Sequence, residues 1–154
     1  MGIHFTLSPL IPGMFHEQRT TVPDTPAQLR AEYRDELADI VDEHGLETAT
    51  AETSLEPVDL EALGNGDLPD LSLEQAAEIR SLEEGVRDPE TVVTMACEHL
   101  LMGMSTAVMD VEAVESDLEL EMDAKEVQQK IERRAEMSFE EYVHLQHVIV
   151  GNMP

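Results

Sequence analysis

Three stretches of the chain carry the same four-residue signal: Thr25-Pro26-Ala27-Gln28, Ser72-Leu73-Glu74-Gln75 and Ser138-Phe139-Glu140-Glu141. Each places a hydroxyl three residues ahead of a Gln or Glu. At that spacing the hydroxyl accepts from the third backbone N–H of a helix, and the Gln or Glu reaches back to the N–H of the cap. Pro26 suits the first helical position, where its missing N–H costs nothing. The signals therefore commit the chain to helices and mark where three of them begin.

Apolar spacing fills in the rest. Leu29, Tyr33, Leu37, Ile40 and Val41 fall at 3- and 4-residue steps, and Gly45 ends that helix. A short helix over about 46–54 follows. Pro57 opens another around Val58, Leu60 and Leu63, closed by Gly64-Asn65-Gly66, and the Ser72-capped helix carries Leu73, Ala76, Ile79 and Leu82. After Gly85 the order recurs. Asp88-Pro89 caps a long helix to about Met109, Asp110 to Leu118 reads as a short one, and Asp123 caps a helix over 124–134. Ser138 then opens the last helix, with Phe139, Tyr142, Leu145 and Val148. Leu71-Ser72-Leu73-Glu74-Gln75 aligns directly with Met137-Ser138-Phe139-Glu140-Glu141. The expectation is an all-α chain of two tandem four-helix, helix-turn-helix-like units, at 25–85 and 86–150, behind a flexible N-terminal arm at 1–24. An internal duplication explains the recurrence; a helical period shared by any two segments is the other reading.

The chain has 34 Asp and Glu against 9 Lys and Arg, a formal charge of −25 over 154 residues. That much like charge pushes a small domain apart at ordinary ionic strength. At 1 M salt the Debye length is about 3 Å and the repulsion is mostly screened. Three readings compete: adaptation of the whole surface to molar salt, an acidic mimic of nucleic acid, or a disordered solvating chain. The scatter of acids along the chain and the shortage of lysine favour the first, and the regular apolar pattern opposes the third. A lone Cys97 excludes an internal disulfide and fits a reducing cytoplasm. The opening MGIHFTLSPLIPG lacks a cationic start and is a poor signal peptide, and Met14 reads equally well as the start, with residues 1–13 an extension. No apolar stretch reaches the ~20 residues of a membrane span.

The few cations are not evenly spread. Lys125, Lys130, Arg133 and Arg134 lie within 123–134, a window of net charge +1, while the remaining 142 residues sum to −26. On a helix these four, with Gln128 and Gln129, can project outward while Val127 and Ile131 pack inward. Lys and Arg would meet phosphates and Gln can pair with adenine. The competing reading is that the cations serve the helix C-terminus and pair with nearby acids, Glu126 standing four residues before Lys130. The first unit has no such helix, which marks it as a packing or interaction module.

Other constellations carry less. Met95, Met102 and Met109 recur every seven residues on the most apolar helix, either as buried core or as a homodimer seam. Glu141-x-x-His144 with His147 one turn on has ligand spacing, but a di-metal bundle needs two such pairs. Cys97 and His99, two apart, do not share a helix face. The pattern lacks a Gly-rich phosphate loop, a nucleophile elbow and a His-Glu-x-x-His motif, so no catalytic residues, metal or cofactor are expected.

The stretch EVQQKIERRAEMSFEEY resembles the lambda-repressor-like group, in which a recognition helix with a basic end precedes a Ser- or Thr-capped helix opening with Glu. Over nearly its whole length from Met14 the chain is similar to a family of haloarchaeal proteins of unknown function, on TPAQLRAEYRDELADIVDEHG, HLLMGMSTAVMDVEA and KEVQQKIERRAEMSFEEY. The first resemblance implies DNA contact through 124–134; the second implies a saline cytoplasm and leaves function open. The resulting expectation is a non-enzymatic binding protein that contacts DNA through 124–134, with a protein–protein adaptor or assembly factor as the runner-up and an acidic nucleic-acid mimic behind it.

Overall fold

The computed structural model describes residues 14–83, 85–86 and 88–154. Among them are eight helices and no strand: α1 (Pro26–His44), α2 (Leu46–Glu52), α3 (Pro57–Gly64), α4 (Leu73–Arg80), α5 (Pro89–Ala107), α6 (Val111–Asp117), α7 (Ala124–Ile131) and α8 (Phe139–Gly151). The fold is all-helical. No single helix among the described residues is long and apolar enough to cross a membrane.

The capping signals act as their spacing dictates. Thr25 with Gln28, Ser72 with Gln75 and Ser138 with Glu141 form complete reciprocal boxes. Asp88, Asp110 and Asp123 each accept from the third backbone N–H of α5, α6 and α7. Each cap satisfies a donor that the helix itself cannot reach. Gly45, at φ 90°, ends α1 and begins α2.

Two helix ends share one design. At the end of α3 the Gly66 and Asp67 amides donate back to the Leu63 and Ala62 carbonyls, with Gly66 left-handed at φ 90°. At the end of α7 the Arg133 and Arg134 amides donate to the Lys130 and Gln129 carbonyls, with Arg133 left-handed at φ 65°. Both are Schellman turns, a closure that usually has Gly at the left-handed position. The expected helix over 124–134 therefore stops at Ile131: Arg133 reverses the chain where a further turn would have continued.

The loops after α3 and α7 meet. Leu73 N–H donates to the Met137 carbonyl at 2.9 Å and Phe139 N–H to the Leu71 carbonyl at 2.8 Å, making an isolated antiparallel bridge centred on Ser72 and Ser138. Helix lengths run 19, 7, 8 and 8 residues in the first half and 19, 7, 8 and 13 in the second. The buried residues of both halves form one continuous core, with α1 against α3, α4 and α8, and α5 against α4 and α8.

Part of the expected arm belongs to that core. Phe15 is fully buried and meets the rings of Tyr33, Phe139 and Tyr142 edge-on. Its carbonyl accepts from Tyr142 Oη at 2.5 Å and Gln146 Nε2 at 3.3 Å. Further along, the His16 carbonyl accepts from His99 Nδ1 and the Pro23 carbonyl from His147 Nε2, both at 2.8 Å. Residues 14–23 are thus a strap tied down through its own carbonyls, because an aromatic side chain there completes the core. Residues 1–13 of the expected arm lie outside the described residues.

Candidate functional site

Asp123 starts α7, and Val127 and Ile131 bury its inner face, as the spacing predicts. Lys125 and Gln128 stand exposed, while Gln129 and Lys130 are half-buried. The basic residues do not form one outward row. Lys130 keeps 11% of its side-chain surface and lies 2.9 Å from Glu126 and 2.5 Å from Glu141. Burial opposes its charge, but the hydrogen bonds it donates to Glu141 and Glu126 outweigh that and raise its pKa. Arg133 donates to Thr94 Oγ1 on α5 at 2.6 Å. Arg134 pairs with Glu132, which also accepts from Gln128 at 3.1 Å.

Lys130, Arg133 and Arg134 do come together, around a pocket of about 220 Å³ that also touches Val93, Cys97 and Met137. Lys125, Gln128 and Gln129 are not part of its lining. Burial pushes the Cys97 thiol up to about 11, so it stays protonated and unreactive at neutral pH. The six residues singled out from the sequence are thereby split between one small pocket and an open helix face.

The connections of the second half also bear on DNA docking. Six residues separate α6 from α7 and seven separate α7 from α8. A DNA-reading helix-turn-helix uses a turn of about 3–4 residues.

The methionine row is divided too. Met102 is 50% exposed, Met95 is half-buried, and Met109 packs against the core. Leu101 at 44%, on α5, and Val108 at 90%, just past its end, are exposed along with Met102. Val108 is left-handed at φ 55°, an outlier for a β-branched residue.

His144 lies 3.0 Å from Glu140, His147 donates to Pro23, and Glu141 is held by Lys130. The Glu141-x-x-His144 spacing therefore assembles no ligand set. Among the described residues one other group gathers donors: Glu43, His44 and Glu83. Sequence spacing could not reveal it, because Glu83 arrives from the segment after α4.

No curated protein and no solved structure matches the chain. A family profile covers residues 29–152, from the first turn of α1 to the end of α8. By that match the chain belongs to a family of unknown function, DUF5791.

Proposed function

We propose that this protein is a non-catalytic helical adaptor that docks a protein partner on the outer face of α5. The observation that carries this is a gap in the charge. Between Glu90 and Asp110 the only charged residue is Glu98, in a chain of 34 acids, and Leu101, Met102 and Val108 are exposed there. Exposed apolar groups gathered on an otherwise charged surface mark interaction sites. The acid excess and the resemblance to haloarchaeal proteins suit a cytoplasm of concentrated salt. In that solvent ion pairs are screened within about 3 Å, whereas apolar burial is not weakened. The partner therefore presents an apolar ridge and not a basic one.

A photo-cross-linker at Met102, in native cells, tests this. An adduct with a different protein, lost when Leu101→Asp is added, is the expected result. An adduct of twice the chain's own mass would make the face a homodimer seam and end the adaptor reading.

The second reading is nucleic-acid contact through α7. It is favoured by the exposure of Lys125 on α7 and of Arg133 and Arg134 in the turn after it, and weakened by the burial of Lys130 between two carboxylates. Genomic fragments that shift with wild type in molar KCl, and not with Lys125→Glu, Arg133→Glu, would favour it over the adaptor. The recurring helix lengths and the bridge between like-placed serines support an origin of the chain by internal duplication.

A further inference from the structure

The strap at 14–23 has no helix or strand of its own. His99, Tyr142, Gln146 and His147 donate to its carbonyls, and Arg19 pairs with Glu32 on α1 at 3.2 Å. Near its start lies a group that these ties do not use. The His16 ring is 6% exposed and meets Phe15 edge-on, and its Nδ1 is buried with no hydrogen-bond partner among the described residues. Buried nitrogens without a partner are uncommon, and a buried imidazole in that state is favoured only while it is neutral.

Its neighbours make a proton there unwelcome. Arg80 on α4 is 4% exposed and ion-paired with Glu36 of α1 at 3.5 Å and with Glu83 at 3.9 Å. His99 on α5 holds the His16 carbonyl, Glu36 accepts from the Phe15 amide, and α8 contributes the uncharged Tyr142 and Gln146. Burial, then Arg80, hold His16 below the ordinary imidazole value of 6.5; Glu17 pulls the other way and His99 adds to the lowering.

We propose that the strap is an acid-released latch: a proton on His16 puts a second cation near Arg80 in a buried site and lifts residues 14–23 off α1, α5 and α8. What opens is the aromatic floor beneath Phe15, formed by Tyr33, Phe139 and Tyr142. The helices stay in place, because α1, α5 and α8 share a core that extends well beyond Phe15. A released His16 regains its ordinary value. Closure is therefore complete above pH 6.5 and is lost as pH falls below it, the opening constant rising by at most about tenfold per pH unit. Glu36 acts in the opposite sense, since its buried carboxyl holds a proton more tightly than an exposed one. A comparison of wild type with His16→Gln separates the two, because both proteins carry Glu36.

The test is hydrogen–deuterium exchange of the full chain in molar KCl, from about pH 7.5 to 5, corrected for the intrinsic pH dependence of exchange. Below pH 6.5 the wild-type peptide spanning 14–23 should lose protection relative to His16→Gln, the ratio widening by up to about tenfold per pH unit. Peptides from α1 and α8 should stay protected in both. His16→Phe, which fills the same space and takes no proton, is a second variant blind to pH should glutamine loosen the strap by itself. Equal strap protection across the pH range in wild type would overturn the latch. The same loss in both variants would place the trigger on another group and overturn it too. Loss of α8 protection in step with the strap would show global acid unfolding, with the same consequence.

Discussion

Two residues hold a backbone conformation that their side chains disfavour, and each sits at a helix end. Val108 and Arg133 are the described non-glycine residues with positive φ. The left-handed region costs an L-residue roughly 1–2 kcal/mol, and glycine escapes that cost. Val108 buries almost nothing in return, so Val108→Gly should raise stability by roughly 1 kcal/mol in thermal denaturation. If α5 is the docking face, the same variant should bind its partner less well, the expected trade between stability and function. Glu36 makes a different prediction. Burial pushes its carboxyl up to about 7, against the opposing pull of Arg80 and the Phe15 amide. The folded protein then holds that proton more tightly than the unfolded chain does. Its contribution to stability is complete below the ordinary value of 4.5 and is lost as pH rises through about 7. Unfolding free energy measured from about pH 5 to 7 should therefore fall from this source, by at most about 1.4 kcal/mol per pH unit, and the melting temperature should fall with it. Glu36→Gln should flatten the slope, whatever it does to the absolute stability.

At the scale of elements, α5 and α8 approach closely at Gly103. A Cβ built on Gly103 would lie 2.8 Å from Ile149 Cγ2, closer than side chains tolerate. Overpacking of this kind costs about 1–3 kcal/mol, while alanine in a helix regains up to about 1. Gly103→Ala should thus destabilise by about 1 kcal/mol, seen as a lower denaturation midpoint with an unchanged slope. Helix starts were legible in the sequence because capping is local: Thr25, Ser72, Asp88, Asp123 and Ser138 all cap as read. The end of α7 was not, because arginine occupies the left-handed position where glycine would have signalled a stop. The surroundings of Lys130 were legible only in part, for a related reason. Its Glu126 partner lies one turn away and was visible, but Glu141 reaches it only once α7 and α8 fold into a hairpin. The cluster at Glu43, His44 and Glu83 likewise depends on two helix ends meeting. Phe15 sat in a polar, proline-containing stretch, and only the aromatic cluster of α1 and α8 explains its burial.

For the whole molecule the dominant quantity is the charge of −25. Its self-repulsion acts at any ionic strength that leaves it unscreened. Thermal unfolding followed in increasing KCl should show melting temperature rising steeply between about 0.1 and 1 M, where the Debye length falls from about 10 to 3 Å. A flat response would mean that the acids do not govern stability. The strap at residues 14–23 ties the segment before α1 to α5 and α8, so the first half depends on the second for part of its core. The bridge between Leu71–Leu73 and Met137–Phe139 adds a dependence of another kind. Two backbone hydrogen bonds join the opening turns of α4 and α8, so neither helix can detach without exposing the amide that ties down the other. Opening there is a shared event. In a hydrogen–deuterium exchange experiment the Leu73 and Phe139 amides should lose protection together, at the rate of global unfolding, although they lie 66 residues apart in the chain.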